Sequence, residues 1–95
     1  MSHVLITDCE LPEDSDIVLY NPAAGGFTIT LPDVSNTTII HLKNVSRDQN
    51  AITLKPAEGQ TIEGGECLLL SGSGLATTVG YTGIGRWFRL SLIHI

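Results

Sequence analysis

The sequence predicts an all-β protein, and three observations carry that prediction. Apolar and polar residues alternate with a period of two along several segments, and helical periodicity is nearly absent. Turn residues punctuate the chain at intervals of about 8–12 residues. β-Branched and aromatic residues crowd the alternating segments, as a pleated and half-buried surface favours. Together these features predict one domain over residues 1–95, a compact sandwich, barrel or short β-prism of about eight short strands with no significant helix; a β-solenoid has the same signature.

Strand candidates lie near residues 3–7 and 16–20, with an acidic segment at about 8–16 between them. After the turn cluster Asn21-Pro22-Ala23-Ala24-Gly25-Gly26, the stretch Phe27-Thr28-Ile29-Thr30-Leu31 puts three apolar side chains on one face, predicting a strand at 26–31. Pro32-Asp33-Val34-Ser35-Asn36 is the next turn. Thr38-Ile39-Ile40-His41-Leu42-Lys43 then turns Ile40 and Leu42 inward and His41 and Lys43 outward, within a strand at 37–44. Ile52 and Leu54 repeat the inward pattern at 51–55, so Arg47-Asp48-Gln49-Asn50 reads as a hairpin loop between two neighbours. Glu58-Gly59 and Gly64-Gly65 supply positions that tolerate positive φ around a strand at 60–63. Strands at 66–71 and 75–81 flank the loop Ser71-Gly72-Ser73-Gly74.

The last strand candidate, 86–93, alternates and stays apolar to the end of the sequence. Phe88, Leu90 and Leu92 form one face, and Trp87, Ile93 and Ile95 lie on the other with Arg89 and Ser91. Such an apolar tail is expected to be tucked into a core or a neighbouring subunit.

Composition narrows the function classes. Charged residues make up 16% of the chain, against about 25% for an ordinary soluble domain. A surface poor in charge and rich in Thr, Ser, Gly and aliphatics predicts a protein that covers much of itself with partners. The net charge of −5 points away from nucleic acid, which requires a basic footprint. Residues 1–40 hold six acids (Asp8, Glu10, Glu13, Asp14, Asp16, Asp33) and no Lys or Arg, while all five basic residues fall later. The acidic segment reads as a solvated loop or as a dock for a partner's basic patch. No stretch reaches the roughly 18 apolar residues of a membrane span.

His3, His41 and His94 are far apart and lack paired-ligand spacing, so no metal site is predicted. No secretory leader is recognisable in residues 1–20. The expectation for Cys67, beside Leu68-Leu69-Leu70, is a small buried hydrophobe, with a Cys9–Cys67 bridge left open. No nucleophile elbow, phosphate loop or zinc motif occurs, and the expectation is a non-enzyme with no catalytic residues and no cofactor.

Four segments bear a family likeness in order. Gly26-Phe27-Thr28-Ile29-Thr30-Leu31-Pro32-Asp33 comes first, then Ile40-His41-Leu42-Lys43-Asn44-Val45-Ser46. Ala51-Ile52-Thr53-Leu54-Lys55-Pro56 with Gln60-Thr61-Ile62-Glu63-Gly64-Gly65 follows, and Leu75 to Tyr81 with Gly85-Arg86-Trp87-Phe88 closes the set. This order resembles the small β-repeat modules of bacteriophage virion proteins, over about residues 14–90. The resemblance implies a virion structural role in a tail fibre, collar, capsid fibre or decoration protein, commonly as a trimer.

The expectation is therefore a small capsid decoration, head-fibre or accessory protein of the virion, assembled in the host cytoplasm. It would form a homotrimer and dock on capsid or tail proteins. A tail-associated module that binds a host glycan is the alternative. The interface candidates are Tyr81, Trp87, Ile93 and Ile95, since aromatic and large aliphatic side chains dominate interface energetics.

Overall fold

The computed structural model describes residues 4–13, 15–34, 36–47, 50–72, 74–81 and 83–94, and of 91–94 the backbone alone. The described chain contains ten short strands and no helix. They are β1 (Val4–Leu5), β2 (Cys9–Glu10), β3 (Ile17–Tyr20), β4 (Thr28–Thr30), β5 (Thr38–Asn44), β6 (Ile52–Lys55), β7 (Thr61–Ile62), β8 (Leu68–Leu70), β9 (Leu75–Tyr81) and β10 (Arg86–His94). One sheet has six strands in the order β1-β3-β5-β9-β10-β7, and the other has four in the order β2-β4-β6-β8.

From β1 to β6 the chain winds back and forth, placing odd strands in the larger sheet and even strands in the smaller. Each strand lies parallel to the one laid down two places earlier. Val4 sits opposite Leu19, Ile17 opposite His41, Cys9 opposite Ile29, and Thr28 opposite Thr53. This stack of coils is the solenoid form of an all-β fold, in which each unit packs on its neighbours. The winding ends after β6. β8 runs antiparallel to β6, β9 antiparallel to β5, and β10 returns antiparallel along β9. β7 borders β10 at Arg86 and Trp87.

The inward side chains are those that alternation marks. Ile29 and Leu31, Ile40 and Leu42, and Ile52 and Leu54 are all buried between the sheets. Val18, Tyr20, Ile62, Leu70, Leu75, Val79, Tyr81 and Trp87 complete the core. Removing a large aliphatic side chain from water contributes about 1.5–3 kcal/mol.

Three expectations are corrected. The segment 47–50 is not a hairpin loop, because β5 and β6 lie in different sheets. Buried Asn44 bends the chain out of the larger sheet: its Oδ1 accepts from the Ser46 N–H (2.9 Å) and hydroxyl (2.8 Å), while its Nδ2 donates to the Gly72 carbonyl. Asn50 then donates its Nδ2–H to the Pro22 carbonyl at 2.9 Å, fastening this crossing onto the turn of the coil before it.

The second correction concerns β2, which the sequence reading left inside the acidic segment. Two residues are too few to show alternation, and their strand is held from outside. Asp8 Oδ1 accepts the Thr28 N–H at 2.8 Å, and the Leu11 N–H donates to the Thr30 carbonyl at 2.9 Å.

Third, Cys67 is exposed rather than buried, since it precedes β8 in the loop that leaves the Ile62–Gly65 bridge. Cys9 is half-buried, and both thiols are free.

Candidate functional site

Strand alternation gives the larger sheet an inner face that fills the core and an outer face that no described element covers. On the outer face the register sets Ile17, His41 and Thr78 in one row, and Ile39, Gly80 and Phe88 in another. Ile17 is 70% exposed, Ile39 47%, Phe88 38% and Leu90 56%, which is unusual for apolar side chains at strand positions.

The glycine in the second row shapes the surface. A Cβ on Gly80 would come within 2.9 Å of Leu90 Cδ1, so Leu90 lies flat across β9 only because Gly80 has no side chain. Leu90 falls where the pairing register shifts between Arg89 and Ser91, an extra residue of the β-bulge kind. The result is a low, apolar platform of Phe88, Leu90 and Ile39 toward the β10 side of the sheet.

Polar groups on this face are mostly turned to neighbours. His41 Nδ1 and Thr78 Oγ1 share a hydrogen bond of 2.9 Å across the β5–β9 ladder. Lys43 bends to donate its ammonium to the Gly74 carbonyl at 2.7 Å. Lys43 and Arg86 keep the face mildly basic.

The predicted anchors fall elsewhere. Trp87 is fully buried within the single chain, donating its Nε1–H to Gln60 Oε1 at 3.0 Å. Gln60 in turn donates its Nε2–H to Asp33 Oδ1 at 3.2 Å. Tyr81 packs on Trp87 with ring centroids 5.3 Å apart, and its hydroxyl accepts the Gly85 N–H at 2.9 Å. Neither ring presents a surface to a partner in this conformation. The side chain of Ile93 and all of Ile95 lie outside the described residues. The outward ring of the Trp87–Phe88 pair is Phe88, and Ile17, Ile39 and Leu90 join it without having been singled out. Their signal was present in the alternation, which places one residue of each adjacent apolar pair outside.

Of the five aromatic residues in the chain, Phe88 alone is exposed. A sugar-stacking platform of several rings is therefore not formed by the described surface.

The far end of the smaller sheet has a different character. A shallow hollow of about 270 Å³ is lined by Glu10, Glu13, Asp33 and Glu58 around Pro12, Pro32 and Ala57. Among the described residues no three His, Cys, Asp or Glu side chains come together as metal ligands. Burial, aided by the charge of Asp8, pushes the Cys9 thiol above its usual range, which keeps it protonated and weakly nucleophilic.

No protein-family model matches this sequence, and no curated protein matches it.

Proposed function

We propose that this chain is a structural protein of a bacteriophage particle, a small capsid decoration, head-fibre or accessory protein that associates with itself, as a trimer, and docks on capsid or tail subunits. The observation that carries this reading is the uncovered outer face of the larger sheet, with Ile17, Ile39, Phe88 and Leu90 exposed on it. Apolar area of this kind is stabilised by burial, at about 25 cal/mol per Å² removed from water. The ordered motifs from Gly26 to Phe88 support the virion setting, and the low charge content of 16% supports a surface made for protein contact.

The test has two parts. Light scattering on the purified chain should give the mass of a trimer, and the Phe88→Lys/Leu90→Lys double variant should fall to a folded monomer. A wild-type chain that stays monomeric at its highest soluble concentration ends the self-association reading. For the virion setting, purified particles of the phage encoding the chain should contain it in fixed stoichiometry. Particles that lack it would move the reading away from a virion component.

A further inference from the structure

The larger sheet ends in two different open edges, and they are complementary. We infer that copies of this chain join head to tail, β1 of one copy lying parallel beside the open stretch of β10 in the next. This inference rests on the self-association reading and specifies the contact that produces it.

At one edge, Leu5 turns its backbone toward β3, where its carbonyl accepts the Asn21 N–H at 2.9 Å. Backbone groups alternate sides along a strand, so Val4 and Ile6 direct theirs away from the sheet. Both residues also carry exposed apolar side chains. Val4 shares the face of Leu19, its register partner, which is the outer face.

At the other edge, β7 fills the row beside β10 at Arg86 and Trp87 only. Glu63 extends that cover by one step: its N–H donates to the Trp87 carbonyl, and its carboxylate accepts the Arg89 N–H. Glu63 then leaves the row with φ 51, a left-handed turn rare for a residue with a side chain. From Leu90 to His94 no described strand lies on that side of β10. An unpaired strand edge is a template for another strand, and natural proteins usually blunt such edges with charge or a covering loop. Among the described side chains, the exposed apolar ones beside the open stretch are Phe88 and Leu90.

Strand direction selects the head-to-tail pairing. Within the sheet β1, β3 and β5 are parallel, β9 opposes β5, and β10 opposes β9, so β10 and β1 run the same way. Two copies standing upright side by side therefore bring β1 against β10 in parallel. The outer-face row Val4 and Ile6 then continues into Phe88 and Leu90 of the neighbour. A contact between unlike edges closes into a ring or runs on as a filament; a single discrete mass marks the ring.

Two exposed-site variants test the geometry by complementation. Ile6→Lys spoils one edge and Leu90→Lys the other, so each alone should be a folded monomer by light scattering and circular dichroism. Mixed in equal amounts, each supplies the edge the other lacks, and the mixture should give a dimer of twice the chain mass that grows no further. Val4→Lys and Phe88→Lys serve as a second pair should either variant fail to fold. If the wild type is multimeric but Ile6→Lys still assembles, or the mixture stays monomeric, the head-to-tail contact is wrong while self-association stands. A monomeric wild type overturns both.

Discussion

Strands β1 to β6 pair with one another only in parallel, in stacked coils, whereas among the described residues the antiparallel strand ladders all involve β8, β9 or β10. In the coiled half the strands of the smaller sheet are two to four residues long, and successive turns are tied by side chains, as Asn50 is to Pro22 and Asp8 to Thr28. In the antiparallel half, β9 runs seven residues and β10 nine, and their ladder starts at the packed pair Tyr81 and Trp87. Parallel pairing is slightly weaker per residue, and each coil depends on contacts distant in sequence. The difference teaches that the second half is the stay of the first: β9 closes the stack of coils along β5, and β8 closes it along β6.

The largest effect expected from this view is at Trp87. Replacing a large aromatic core residue by alanine costs about 3–5 kcal/mol, and here Gln60 Oε1 loses its donor as well. Total stability of a domain is about 5–15 kcal/mol, so Trp87→Ala should unfold most of the chain. Urea titration followed by far-ultraviolet circular dichroism should show the coiled half lost together with the hairpin. A variant that keeps half of its β signal in a separate, later transition would show that the coils stand alone, and the comparison would be reversed.

Gly26→Ala strikes the coiled half directly. A Cβ at Gly26 would overlap the Ala51 carbonyl oxygen, a backbone atom that cannot rotate away. The turn into β4 and the start of β6 must move apart, which at the cost of overpacking is about 1–3 kcal/mol. Hydrogen exchange should show faster exchange in Thr28–Thr30 and Ile52–Lys55, with β9 and β10 close to wild type. Equal acceleration throughout would mean that the two halves open as one unit.

The sequence shows the faces of these strands more clearly than their neighbours. Alternation identified Ile29, Ile40, Leu42, Ile52 and Leu54 as inward, and all five are fully buried. A period of two is the same whether a strand pairs with the next one along the chain or with one a full coil away. For that reason 47–50 resembled a hairpin loop, although Asn44 and Asn50 carry the chain across to the other sheet. The turn glycines were legible where chemistry is local: Gly59 and Gly64 have φ of 83 and 77, as their turns require. Trp87 and Phe88 show the opposite case. Adjacency in a strand places them on opposite faces, but which ring is inside depends on Gln60 and Ile62, residues that only the folded chain brings near. The candidate surface was legible in the same partial way, as the outward member of each apolar pair.

The smallest effect is expected at high pH and again falls on the coiled half. Tyr20 lies on β3 between Leu5 and Asn44, and burial pushes its phenol from its ordinary value up to about 12. A folded-state value above that of the unfolded chain means that the native state holds its proton longer. The associated stability is therefore complete below about pH 10, the value for an exposed tyrosine, and declines as the pH rises through about 12. Urea midpoints measured across this window should fall, and Tyr20→Phe should flatten part of that fall because its ring has no proton to lose. The comparison sharpens if exchange in β1, β3 and β5 quickens first in the wild type as the phenol ionises. An unchanged alkaline slope in Tyr20→Phe would show that other groups open the chain at high pH, and that the Tyr20 phenol is not what links the coiled half to alkali.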